Sequence, residues 1–306
     1  MQFRGQGKPP LGVIFDSDMG SRAETALALA VLYGLDGKSE CRVVAIASTR
    51  SSLLSAAFCE VVGRFYAGTV SAAFGATART LPVGLAADGK IPGDTPLLTG
   101  PLGRKNPDGS STYQHGIEKL IDTAEAHGLI RNAFTAQHDQ NAAVVLAGPP
   151  GNLLKVLQLP GAKELIAAKC RVLVCSTAGA AKELEAAGWP SPIVAVAASA
   201  GAAVLFPKQT LTKEFAAFPA HPVADAFQAS NADAPTGELA AVLHAVRPAE
   251  KAFALSEPVG RIRQLMVEPA EKDRLLALYV ELATAKPVPR MPRFRPPVVE
   301  AKKPPA

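Results

Sequence analysis

Two aspartates separated by one residue, Asp16 and Asp18, follow the apolar run at residues 11–15 (LGVIF). Carboxylates at that spacing can be brought to one cation, because their oxygens are the ligands that hard ions prefer. A second reading stays open, because Asp also favours loops for the hydrogen bonds it makes to nearby backbone. Arg22 adds a further choice: its guanidinium could stand among the carboxylates and neutralise them without a metal, or it could point to solvent. His115 sits in a loop-rich region, where it could meet a ligand or be solvated. His138 and Asp139 read as a surface pair, His221 before Pro222 as the start of a helix, and His244 as a structural histidine on a helix. The chain carries no GxSxG, P-loop or dinucleotide fingerprint and no zinc-type Cys/His spacing.

Two carboxylates do chemistry only if rigid elements hold them. Residues 11–15, 42–47 (RVVAIA), 142–147 (AAVVLA), 171–175 (RVLVC) and 193–197 (IVAVA) are short β-branched or apolar runs that predict buried parallel strands. Between them lie helical patterns. Residues 24–33 form one that Gly34 should stop; another starts at a Ser51-Ser52 cap. Others fall at 117–126, 129–137, from Asn152 and at 178–187, and later ones at about 221–230, 236–246 and 270–285. Residues 79–115, with five prolines, read as loop, and a long irregular stretch inside a compact domain is often functional. Strands alternating with helices predict an α/β fold: a mostly parallel central sheet with helices on both faces. In such open sheets ligands bind outside the carboxyl ends of the strands, where Asp16 and Asp18 fall.

The 306 residues are 48% apolar and 6% aromatic, enough for a large core of closely packed helices on a sheet. The net charge is +5. Much of the excess sits at the ends (Arg4, Lys8, Lys286, Arg290, Arg293, Arg295, Lys302 and Lys303), so it reads as solvated tails and not as a nucleic-acid surface. Cys41, Cys59, Cys170 and Cys175 lie in or beside apolar runs without CxxC spacing, which predicts reduced thiols. No charge-free apolar stretch reaches about 20 residues, so no membrane span is expected. The opening MQFRGQGKPP lacks the apolar core of a signal peptide. Together these predict a cytoplasmic location, unless the true start lies further upstream.

The run IFDSDMGSRAETALALAVLYGL (residues 14–35) resembles the opening signature of the inosine–uridine-preferring nucleoside hydrolases: an apolar strand, Asp-x-Asp-x-Gly, a spacer, Asp-Asp and an Ala/Leu helix. Asp16, Asp18 and Gly20 match it. VVLAGPPGNLLKVL (144–157) resembles the family's strand, Gly-Pro turn and Asn-Leu helix start; Gln114-His115-Gly116 resembles its His-Gly loop; PTGELAAVLHAVRP (235–248) resembles its late His-Asp helix. The resemblance implies a nucleoside-hydrolase-like open sheet over 11–285, with an extension at 1–10 and a Pro-rich basic tail at 286–306.

It also implies a chemistry. A Ca²⁺ ion would be held by Asp18, Glu24, Glu238 and Gly151, together with ribose hydroxyls and a water. Asp16 would take a proton from that water, which attacks the anomeric carbon. Asn152 and His115 would contact the nucleoside.

Several positions depart from the pattern. The Asp-Asp pair falls on Glu24-Thr25, and Thr25 cannot act as an ionised carboxylate. The late His-Asp falls on Gly237-Glu238, and an expected asparagine falls on Ser52. After Val174 the family continues with a loop carrying ribose-binding Glu and Asn; here Cys175-Ser176-Thr177 leads straight into a helix. Losing several groups that act as a unit costs more than losing each alone. The expectation is a ribonucleoside hydrolase with impaired or lost activity, or a non-catalytic binding or scaffold protein on the same fold. Ca²⁺ would bind only if the site works. The ligand would be a nucleoside or another ribose compound, with no nucleic-acid or membrane partner and a possible homo-oligomer.

Overall fold

The computed structural model describes residues 9–68, 81–86, 93–230 and 232–288. The first half runs β1 (Leu11–Ser17), α1 (Ala23–Gly37), β2 (Cys41–Ser48), α2 (Leu53–Ala67), β3 (Val83–Leu85), α3 (Pro96–Gly103), β4 (Ala124–Glu125), α4 (Ala126–Thr135), β5 (Ala142–Ala147) and α5 (Gly151–Leu157). It continues with α6 (Ala162–Lys169), β6 (Cys170–Cys175), α7 (Ala178–Ala186), β7 (Ile193–Val196), α8 (Ala198–Ala203), β8 (Leu205–Phe206), α9 (Gln209–Glu214) and α10 (Pro222–Gln228). The last elements are β9 (Ala234–Pro235), α11 (Gly237–Val246), β10 (Phe253–Leu255), β11 (Ile262–Val267) and α12 (Lys272–Ala283).

Nine strands form one sheet in the order β10-β11-β7-β6-β5-β1-β2-β3-β4. Every pairing is parallel except β10 with β11. The expected mostly parallel α/β architecture is therefore present. β1 and β5 are buried at every position, because helices cover both faces and leave no solvated side to alternate with. One core joins α1, α2, α10, α11 and α12 to the sheet, and the other joins α4 to α7 to its opposite face.

The order places the site. From β1 the chain moves outward through β2, β3 and β4, then returns to the far side of β1 with β5 and continues the other way. Adjacent strands whose connections leave in opposite directions open a crevice at their carboxyl ends. Asp16 and Asp18 on one strand end and the Gly148–Asn152 turn on the other therefore face the same place.

Two expectations on elements need correction. Gly34 does not stop α1, which runs on to Gly37. A Cβ at Gly34 would stand 2.2 Å from the backbone oxygen of Leu282, so this glycine permits close packing of α1 on α12. Residues 117–126 are not a helix. Lys119 and Thr123 are extended, with only a 3₁₀ turn at Leu120–Asp122 between them. Asp122 accepts the N–H groups of Glu118 and Lys119 and so closes a single turn, and Ile121 is 87% exposed where a helix would have buried it.

The region 79–115, expected as loop, contains β3 and α3; residues 79, 80 and 87–92 of it lie outside the described residues, as do 1–8 and 289–306 of the expected terminal segments. The four cysteines are free and buried, and burial pushes the Cys59 thiol up to about 12. Among the described residues no helix is long and apolar enough to cross a membrane.

Candidate functional site

Asp16 is the penultimate residue of β1, where the sequence reading put it just past the strand. Its backbone is paired on both sides, with Ala47 of β2 and Leu146 of β5, so the side chain is rigidly held. It is wholly buried. Asn152, buried in the first turn of α5, donates from Nδ2 to Asp16 Oδ1 at 2.8 Å. The second oxygen, Oδ2, is buried and has no hydrogen-bond partner. Burial is the main force on this carboxyl; with the nearby charge of Asp18 it outweighs the Asn152 bond and lifts the group to about 7.

Asp18 follows β1 and opens a tight turn, with Ser21 N–H donating to the Asp18 carbonyl at 3.0 Å. Gly20 takes φ +100 there, a conformation that suits glycine. Gly148 lets the two strand ends meet: a Cβ on it would come within 2.7 Å of Asp18 N. Asp18 Oδ1 is buried without a partner. Gly151 starts α5 and is exposed, with open space around its Cα.

The remaining two carboxylates come from α1 and α11. Glu24 lies in the first turn of α1, and its Oε1 accepts the Glu238 N–H at 2.8 Å. It thereby caps α11, whose amino end carries partial positive charge and unpaired N–H groups. Burial pushes Glu24 upward, while these backbone bonds and Arg22 pull it down. Glu238, in the first turn of α11, is 1% exposed. Arg22, which precedes α1 in extended conformation, donates from Nη2 to Glu238 Oε1 and forms an ion pair with it. Burial raises Glu238 well above the usual carboxylate range; the charge on Glu24 adds to this and Arg22 opposes it. Glu238 Oε2 and the Thr25 hydroxyl are both buried and lack a well-formed hydrogen bond, although Thr25 is near enough to favour the ionised Glu238.

The four acidic side chains named from the sequence thus converge. Asp18 adds repulsion at Asp16, Glu24 and Glu238, and Arg22 feels Glu238, Glu24 and Asp18. Of the two readings open for Arg22, the guanidinium among the carboxylates is the one realised, with its side chain still 47% exposed.

His115 is anchored through its neighbours. Tyr113 donates to Asp225 of α10 and Gly116 N–H donates to Glu60 of α2, while His115 Nδ1 is buried without a partner. Ser52 caps α2 by accepting from Ser55 N–H, and donates to the Asp94 carboxylate. Asp139 pairs with Lys169 at the surface. His221 caps α10, and His244 is buried on α11.

Other groups at these strand ends escaped the sequence reading. Ser17 and Ser176 have buried hydroxyls without partners. Arg50, 5% exposed, donates to Gly93 O and Ser21 Oγ at 2.6 Å each, tying the turn after β1 to the segment before α3. An arginine between strand and helix at the sheet's carboxyl edge was the available signal. A groove of about 820 Å³ between α3 and α10, lined by Pro96, Thr99, Arg104 and Asp225, includes none of the four clustered carboxylates.

No family model and no curated protein sequence matches the chain. Solved structures do. A purine-preferring ribonucleoside hydrolase from Gardnerella vaginalis aligns over 89% of this chain and 98% of its own, with TM-score 0.62 and 16% identity. An inosine–uridine preferring nucleoside hydrolase from Bacillus anthracis aligns over 90% and 99%, with TM-score 0.61 and 12% identity. The chain has the nucleoside hydrolase fold. The type III effector protein XopQ, solved with adenosine diphosphate ribose, is similar at the same level: TM-score 0.62 and 13% identity over 91% of this chain and 94% of its own.

On this nucleoside hydrolase fold the carboxylates do not fit Ca²⁺. That ion takes six to eight oxygen ligands. Here Asp16 Oδ1 is bonded to Asn152, Glu24 Oε1 to the α11 backbone, and Glu238 Oε1 to a cation already present. Among the described residues no three His, Cys, Asp or Glu side chains are grouped so as to hold a metal.

Proposed function

We propose that this protein binds a ribose-containing ligand at the β1/β5 switch point and retains little or no N-glycosidic hydrolysis. The observation that supports this is the set of buried acceptors left open there, Asp16 Oδ2 and Asp18 Oδ1. Buried polar groups without partners are rare, and a cluster of them points to a missing ligand or ordered water. Carboxylate oxygens accept strongly from hydroxyls, and a ribose offers adjacent ones. Asn152 holds Asp16 in one orientation, so the acceptor is set before a ligand arrives. The nucleoside hydrolases of this fold and the ADP-ribose complex of XopQ support a ribose compound as the class. In this reading Asp18, Glu24 and Glu238 belong to the binding cluster, His115 lines the ligand's far side, and Gly151 contributes backbone.

One observation favours a second reading, residual hydrolysis. A carboxyl near 7 is partly ionised at neutral pH, the range in which a general base works. Asp16 could then take a proton from water as it attacks the anomeric carbon.

Calorimetric titration with ribose, inosine, uridine and ADP-ribose, alongside a ribose-release assay, tests both. The binding reading expects heat with at least one ligand, weakened about tenfold or more by Asp18→Asn; no heat with any of them rejects it. The second expects slow release that rises through pH 7 and vanishes in Asp16→Asn.

A further inference from the structure

We propose that Arg22 is the resident cation of the strand-end cluster, balancing its acids in place of a divalent ion and repelling any such ion from them. The inference is independent of whether a ribose compound binds.

Three observations carry it. First, Arg22 makes a direct ion pair with Glu238, a residue 216 positions away that is 1% exposed. A carboxylate at that depth needs a partner, and the guanidinium supplies one. Second, the same guanidinium feels Glu24 and Asp18 as well as Glu238, so one positive charge serves three of the four acids. A bound divalent ion would have to share the cluster with that charge, and like charges repel more strongly in a protein interior than in water. Third, the oxygens left over, Asp16 Oδ2 and Asp18 Oδ1, are buried and unpartnered. They are the acceptors that a small, mobile cation would have used if the place beside them were vacant.

The backbone explains how Arg22 arrives there. Gly20 turns the chain at φ +100, Ser21 closes the turn onto Asp18, and Arg22 is extended at φ −142 before α1 begins at Ala23. Arg50 fixes Ser21 through its hydroxyl, so the residue next to Arg22 cannot drift. The half-exposed side chain reaches inward from the rim to the first turn of α11.

The test uses the full chain with Ca²⁺ and with Tb³⁺ as a luminescent probe. Wild-type protein should show no saturable Tb³⁺ signal at millimolar concentration and no change in Tm on adding Ca²⁺ or a chelator. Arg22→Gln should bind Tb³⁺ at least about tenfold more tightly than wild type and gain several degrees of Tm with Ca²⁺. Arg22→Lys, which keeps the charge, should behave as wild type. Arg22→Gln leaves Glu238 without its partner and could compromise folding, so the double variant Arg22→Gln/Glu238→Gln, free of the unpaired charge, is measured in parallel and should also gain Tb³⁺ affinity. The proposal fails if wild type binds Ca²⁺ as well as the variants do. It fails equally if folded Arg22→Gln or the double variant gains no cation affinity.

Discussion

Asp16 concentrates the chemistry of this chain in one side chain: wholly buried, held by Asn152 on one oxygen and open on the other. Its carboxyl is raised from 3.8 to about 7 by burial, and the sign of the consequence follows directly. Between those two values the unfolded chain has released the proton while the folded chain keeps it, so folding stability falls as pH rises through this window and then levels off. Asp16→Asn, which has no proton to lose, should match wild type near pH 4 and exceed it at pH 8 by about 1–3 kcal/mol, measured by urea unfolding at both pH values. Equal stability at pH 8 would mean that Asp16 is solvated and not buried. Arg22→Ala should act in the opposite direction. Breaking a buried pair costs about 3–5 kcal/mol when both partners are enclosed. Arg22 is half-exposed and Glu238 can take up a proton, so about 1–2 kcal/mol is expected in the same assay.

Between elements, glycines decide how closely the strand ends and helices approach. Gly148 and Gly151 bracket the turn after β5 and resemble each other in sequence, yet their surroundings differ. A Cβ at Gly148 would press within 2.7 Å of Asp18 N, a backbone atom that can move only with β1. Gly148→Ala should therefore lose about 1–3 kcal/mol and weaken any ligand that depends on Asp18. Gly151→Ala, with nothing within 4 Å of the added Cβ, should leave thermal stability unchanged, so any loss it shows in the titration would come from contact with the ligand itself. A thermal melt and a titration of each variant check this contrast. Element types followed from sequence wherever the pattern was long or wholly apolar: β1, β2, β5, β6 and β7 all stand where the runs predicted. The helix expected at 117–126 failed because apolar spacing there carried no information about Asp122, whose hydrogen bonds to Glu118 and Lys119 close a single turn instead. Gly34 misled for a related reason: helix-stopping and close packing both call for glycine, and only the position of α12 distinguishes them.

Across the molecule, a buried aromatic knot ties helices that are distant in sequence. His221 at the start of α10 packs edge-on against Phe65, Tyr66, Phe215 and Phe218. Tyr66 of α2 reaches both His221 and the Ala283 carbonyl at the end of α12. Burial pushes His221 down to about 3, and His244 is pushed down to about 4, mainly by burial with a further contribution from Arg171. As pH falls below 6.5 the unfolded chain gains protons that the folded chain refuses, so stability falls until the folded values are reached. The two histidines therefore pull stability down from pH 6.5 toward pH 4, against the opposite pull of Asp16 in the same window, so His221→Gln should lose less stability than wild type between those two pH values. A slope unchanged by that substitution would place the acid sensitivity elsewhere. The nine-stranded order supplies the remaining logic, because strand connections reverse beside β1 and so the carboxyl ends of β1 and β5 share one crevice.

Apolar runs, glycine turns and the Asp-x-Asp spacing were enough to predict a parallel α/β sheet and the strand end that carries Asp16 and Asp18, while Glu24 and Glu238 were added only by the resemblance to the nucleoside hydrolases. These properties are local: a buried parallel strand or a capped helix is written in a few neighbouring residues. The state of the site was not written that way. Whether Arg22 points outward or inward, which oxygen of Asp16 Asn152 occupies, and whether Glu24 faces a metal or caps α11 depend on partners 216, 136 and 214 residues apart. Such pairings follow from where the switch point brings the strand ends and from which rotamers fit between packed helices, and only the folded chain determines that.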